Sequence, residues 1–196
     1  KSTFDSLSTL GDIYINAELY ERAVDSHIKA LEKDPKGEVD RAIRASRVMI
    51  ARGEYDQTRR LAAYVEKERR DILKSEDRKQ LLKLRARIAV AEGATDEQAR
   101  ILEQIVSVDP MDGEALIQLG LYNERIDKAG KAIFYYERAA AIEKYEADAK
   151  IRHAQMLVRQ KKYEEALPLL QRAQEIKPRE NLQKYLKQVS RIAKTR

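Results

Sequence analysis

The sequence predicts an all-α protein of five helix pairs followed by one further helix, with no strands. Three observations lead there. First, Ala, Glu, Lys, Arg and Leu abound, whereas the 196-residue chain has only 7 Gly and 4 Pro, a composition of helix formers with few breakers. Second, small residues and tyrosines recur on helical faces at intervals near 34 residues, about the length of one repeated helix pair. Third, one such pair cannot bury its apolar face alone, so each unit needs a neighbour and the array needs a terminal cap.

The clearest unit is about 113–146, GEALIQLGLYNERIDKAGKAIFYYERAAAIEKYE. Its first helix carries Leu116, Leu119 and Gly120 on one side, and its second carries Ala132, Tyr136 and Ala139, spaced three and four apart. The turn is expected at about Ile126–Gly130, and Gly120 and Ala132 are small where the helices cross closely. Residues 4–37 form the first unit, with Leu7, Leu10, Gly11 and Tyr14 facing inward from one helix and Tyr20, Ala23, His27 and Ala30 from the next. Pro35 stops it, because it donates no backbone hydrogen bond and pushes Asp34 out of the α region.

The second unit, about 39–72, keeps Ala42, Ala45, Met49, Tyr55, Ala62 and Val65, but Thr58 replaces the small Ala at the crossing. The polar run EKERRDILKSEDRKQ that follows reads as an overlong second helix with a short turn near Ser75–Glu76, a disordered linker being the alternative. The third unit, about 78–111, presents Leu81, Leu82, Leu84, Ala86, Ile88 and Ala89. That is too many apolar positions to fix its frame to one residue. AEGATDEQ is its turn, Thr95 or Asp96 is the expected cap, and Ala99, Leu102 and Val106 follow before Asp109-Pro110. With Ala99 matched to Ala23, Thr58, Ala132 and Ala166, about seven extra residues fall between the second and third units.

The fifth unit, about 147–179, places His153 and Ala154 where Leu-Gly stands in the first and fourth, followed by Tyr163, Ala166, Leu170 and Ala173. Pro168 is expected in the first turns of its second helix, where a missing donor costs least, and Pro178 ends the unit. A last helix, about 179–196, carries Leu182, Tyr185, Leu186, Val189 and Ile192 on one stripe, as a cap requires.

These residues resemble the tetratricopeptide repeat family over about 4–196. The Leu10-Gly11 pair, the Tyr, the two spaced Ala and the terminal Pro35 stand where that family places them. The resemblance is specific in the first, fourth and fifth units and weaker in the second and third. It implies a right-handed α-solenoid superhelix forming a single domain over 1–196, and a protein-interaction scaffold. Its concave groove, lined by the first helix of each pair, would receive a peptide or helix of a partner. The subfamily that grips C-terminal carboxylates of chaperones needs a Lys and an Asn in its first repeat. Ser8 and Asp12 stand there, so that activity is not implied.

Positions on the first helices not used inward are the expected groove wall: Ile43, Arg44, Arg47 and Ile50; Lys83 and Arg87; Ile117, Leu121 and Glu124; Ile151, Gln155 and Arg159. This wall is basic in its middle and apolar toward its C-terminal half, which suits a partner segment with acidic and bulky apolar residues.

Charge is uneven. Residues 1–38 hold 5 basic and 8 acidic groups, 39–91 hold 15 and 8, 92–146 hold 6 and 12, and 147–196 hold 13 and 5. The last block, with Lys184, Lys187, Arg191, Lys194 and Arg196 on the polar side of the cap helix, supports an alternative: nonspecific engagement of nucleic-acid phosphates. No base-reading side-chain code repeats from unit to unit.

The absence of cysteine removes disulfides and thiolate chemistry. The two histidines, His27 and His153, fall on repeat positions and are expected to pack. No nucleophile triad, phosphate loop or metal-ligand spacing stands out, so neither an enzyme nor a cofactor is expected. Tyr135 and Tyr145 are the tyrosines freest to make surface contacts. The chain begins at Lys1, as a fragment or processed form would, and assigns no compartment.

Overall fold

Five of the described residues adopt positive φ and set the rhythm of the structure: Glu18 (60°), Gly53 (84°), Gly93 (72°), Asp127 (59°) and Lys161 (63°). Each occupies the tight turn inside one helix pair. The computed structural model describes residues 3–34 and 38–195, so Pro35 and Arg196 lie outside the described residues. Among the described residues there are eleven α-helices, one 3-10 turn and no strand.

The pairs are α1 (Thr3–Asn16) with α2 (Tyr20–Lys33), α3 (Asp40–Ala51) with α4 (Tyr55–Glu68), and α5 (Ser75–Ala91) with α6 (Thr95–Val108). Then come α7 (Gly113–Arg125) with α8 (Ala129–Ala140), α9 (Glu146–Arg159) with α10 (Tyr163–Ile176), and the single helix α11 (Glu180–Lys194). A 3-10 turn, Glu143–Tyr145, joins α8 to α9. The chain forms two compact units, 1–108 and 109–196.

In the first unit Ile15, Val24, Leu31, Ile43, Met49, Leu61, Val65, Leu81 and Leu84 make a continuous core. Two of its buried hydroxyls are satisfied within their own helices. Ser46 donates to the Ala42 carbonyl at 2.8 Å and Thr58 to the Glu54 carbonyl at 2.7 Å, each one turn back. Thr58 is therefore accommodated at the crossing with no exposed surface. On α1 the buried line is Ser8, Gly11 and Ile15, whereas Leu10, expected inward, is 37% exposed.

The extra residues between the second and third pairs do not lengthen α4, which ends at Glu68. After a turn at 69–74 they lengthen the start of α5, which begins at Ser75 and runs for 17 residues where α3 has 12 and α7 has 13. The cause of the turn is Arg69. Only 6% exposed, its guanidinium donates to the carbonyls of Leu31 and of Asp34, the latter at 3.1 Å. The Arg69 carbonyl in turn accepts from the backbone N–H groups of Ile72 and Leu73, both at 3.0 Å. Then Asp77 accepts the Lys74 N–H at 3.3 Å and closes the start of α5.

The third pair is also shifted by one residue from the expected frame. Each positive-φ residue lies five positions before the matching crossing residue: Ala23, Thr58, Gln98, Ala132 and Ala166. Gln98, not Ala99, is thus the equivalent. α6 buries Ala99, Ile101, Leu102, Ile105 and Val106, in the same pattern by which α2 buries Val24, Ser26, His27, Ala30 and Leu31. The excess is six residues. α6 begins at Thr95 itself, and the small residue of α5 that matches Gly11, Ser46, Gly120 and Ala154 is Ala86.

In the second unit Ala147, Ala154, Leu157, Ala166, Leu170 and Ala173 are sealed by Leu182 and Val189 of α11, with Tyr185 and Leu186 packed alongside. Pro168 is the sixth residue of α10, beyond its first turn. The Glu164 carbonyl loses its helical donor there, at an exposed position where water can replace it. Tyr145 is half-buried rather than free, with its ring against Gly113, and Tyr135 is half-buried as well.

Candidate functional site

The second unit positions its first-helix residues through a buried tyrosine. A Cβ on Gly120 would lie 2.4 Å from Cε1 of Tyr136, so only glycine lets that ring sit against α7. Tyr136 has no exposed surface, and its hydroxyl donates to Glu124 at 3.1 Å. Burial, and then the Glu124 carboxylate, holds the hydroxyl proton on well above the usual tyrosine range. Glu124 also accepts from Arg159 Nε at 2.8 Å and from its Nη2, tying the end of α7 to the end of α9. His153 stacks on Tyr136 with ring centroids 6.1 Å apart, and burial depresses its pKa. Gly11 does for His27 what Gly120 does for Tyr136, since a Cβ there would meet the imidazole at 2.7 Å.

Ile117 lies three residues before Gly120, and Ile151 and Gln155 lie three before and one after Ala154. They share a face, and α11 comes up beside them. The result is an open pocket of about 370 Å³ lined by Ile117, Ile151, Gln155, Leu182 and Tyr185, with Asp148, Arg152, Arg179 and Asn181 around them. Arg179 donates to Asp148 at 2.9 Å, whereas Arg152 has only a 3.4 Å contact with the side-chain oxygen of Gln155. Leu121 packs against Ala132, Tyr136 and Met156 and stays half-exposed. Arg159, at the end of α9, is occupied by Glu124.

In the first unit a shallow pocket of about 490 Å³ is lined by Thr9, Asp12, Ile15, Asn16, Arg41, Arg44, Ala45 and Val48. Arg44 belongs to it. Arg47 and Arg87 are exposed and Lys83 is half-buried. Arg47 donates to Gln80 of α5. Ile43 is only 2% exposed and belongs to the core, so it is not available to a groove wall. The two positions of the carboxylate-gripping subfamily are also committed: Ser8 is buried, and Asp12 lies 3.4 Å from His27 Nε2.

Arg152 was missed by the sequence reading. A signal existed, because Arg152 stands two residues before Ala154, as Arg44 stands two before Ser46. On α11, Lys184 pairs with Glu180 at 2.6 Å, and Lys187, Arg191 and Lys194 are exposed. Among the described residues no helix is long and apolar enough to cross a membrane.

Residues 147–180, from the second residue of α9 through α10 to the first residue of α11, match the tetratricopeptide repeat family. No curated protein sequence matches the chain. Solved structures do. The chain is similar to YrrB, described as a TPR protein with an unusual peptide-binding site, at 18% identity and TM-score 0.64, over 93% of this chain and 90% of that one. It is similar to MamA (41-end) from Desulfovibrio magneticus RS-1 at 15% identity and TM-score 0.63, over 90% and 96%. It is similar to PilF of Pseudomonas aeruginosa at 18% identity and TM-score 0.63, over 98% and 86%. At these identities the likeness is one of fold. The chain has the tetratricopeptide-repeat fold, and one of its repeats matches the family's sequence pattern.

Proposed function

We propose that the protein is an interaction scaffold that binds a peptide or helix of a partner protein on the faces of its first helices. The observation that carries this reading is the convergence of Ile117, Ile151 and Gln155 with Leu182 and Tyr185 on one open pocket. Ile117, Ile151 and Tyr185, left half-exposed around a pocket of this size, supply affinity by burial, at roughly 25 cal/mol per Å² covered. Tetratricopeptide folds are suited to this, and YrrB is described as having a peptide-binding site.

Leu121 and Arg159 extend the surface in the second unit, and Arg44, Arg47, Lys83 and Arg87 are its counterparts in the first. The five repeats are taken to work as one domain.

The test uses peptides selected from a phage-displayed random dodecapeptide library against the full chain. Their binding is lost in Ile151→Glu and kept in Lys131→Glu, an exposed position on α8, with the helical circular dichroism signal unchanged. Peptides that bind both variants equally refute the pocket. Weakening by Arg47→Glu with Arg87→Glu would assign the first unit a share of the same ligand.

A further inference from the structure

We propose that the pocket of the second unit is selective, accepting a bulky apolar side chain that stands next to an Asp or Glu whose carboxylate binds Arg152. This rests on the peptide-binding reading above and names the ligand's chemistry.

The floor of Ile117, Ile151, Leu182 and Tyr185 is apolar, and a volume of about 370 Å³ fits one or two large side chains. The charges around it are not equivalent. Arg179 is held by Asp148 at 2.9 Å, and each neutralises the other. Arg159, further along α9, is held by Glu124, which also accepts from Tyr136. Arg152 lies in the pocket lining, is exposed, and has the Gln155 side-chain oxygen at 3.4 Å as its contact. It forms no ion pair among the described residues.

The pocket lining therefore presents one uncompensated guanidinium, whose planar fork matches a carboxylate. A basic ligand would meet Arg152 with like charge and find Asp148 already engaged. The amides of Gln155 and Asn181 in the same lining can hydrogen-bond the ligand's backbone. In this arrangement α11 supplies a wall of the site as well as a cover for the core. Recognition of acid shifts from the arginines of α3 and α5 to α9.

The experiment uses the full chain, the same dodecapeptide library, and selected peptides synthesised with amidated C-termini, which leaves side-chain carboxylates as the only acids. Enriched sequences are expected to carry Asp or Glu within two residues of Phe, Leu, Ile or Tyr. By fluorescence anisotropy, Arg152→Glu weakens these peptides at least tenfold, and Arg152→Lys, which keeps the charge and loses the planar fork, weakens them by a smaller factor between that and the parent. Exchanging the peptide's acid for Lys recovers binding to Arg152→Glu. Peptides lost in Ile151→Glu but indifferent to Arg152→Glu overturn this inference and leave the pocket reading intact. Peptides indifferent to Ile151→Glu, or a library that yields no binder, overturn both.

Discussion

Replacing Gly120 by Ala should destabilise the second unit even though alanine is the better helix former. Gly120 lies within α7, where the exchange by itself gains about 1 kcal/mol in helix propensity. Against this, the added Cβ would stand 2.4 Å from Cε1 and 2.6 Å from Cδ1 of Tyr136, so the ring or the helix must move. The ring has little room, being fully buried, stacked on His153 and bonded to Glu124. Overpacking of this kind costs about 1–3 kcal/mol, and a pinned ring puts the cost at the upper end, for a net loss of about 2 kcal/mol. Gly130, on α8, has nothing within 4 Å of an added Cβ, so Gly130→Ala should gain up to about 1 kcal/mol. Urea unfolding followed by helical circular dichroism reads both variants. Equal shifts of the two midpoints, or a Gly120→Ala variant as stable as the parent, would refute the crossing geometry.

Ala132 has no exposed surface, so Ala132→Leu should cost about 1–3 kcal/mol, while the exposed Lys131→Leu stays within about 0.5 kcal/mol in the same melts. Truncation after Pro178 removes the cover that Leu182 and Val189 place over Leu170 and Ala173. The shortened chain should melt lower and self-associate, as sedimentation would show; a stable monomer would mean that α11 is not the cap. Burial depresses the His27 pKa, with Arg41 acting the same way and Asp12 opposing. The folded state therefore takes up that proton less readily than the unfolded chain, and the stability it confers is present above a pH of about 6.5 and lost as pH falls below it. His153, also depressed, adds in the same direction. A His27→Gln variant should lose less stability between pH 7 and 5.5 than the parent.

The helix pairs were legible because their signal is local: a small residue on each helix, an apolar face and a turn. What escaped the sequence depends on partners far along the chain. Arg69 reads as surface charge until the Leu31 carbonyl, 38 residues away, is found within its reach. Ala99 was the natural match to Ala23 because it is small, yet the turn at Gly93 assigns that place to Gln98. Ile43 fits a groove wall by spacing, but the core takes it. In the site, the spacing that selected Ile117, Ile151 and Gln155 carried over to one pocket, because positions three before and one after the crossing are four apart and share one direction on a helix. The different fates of Arg152, Arg159 and Arg179 could not be read, since each depends on whether a carboxylate one repeat back lies within reach.

The central claim is that a partner peptide seats in the second unit between α7, α9 and α11. Methyl-labelled NMR with a peptide from the library selection tests it most directly. The account predicts saturable shifts of the Ile117, Ile151 and Leu182 methyls, with the exposed Ile13 and Ile72 unmoved. Shifts confined to Met111 and other residues outside the pocket, with Ile117 and Ile151 silent, would contradict it.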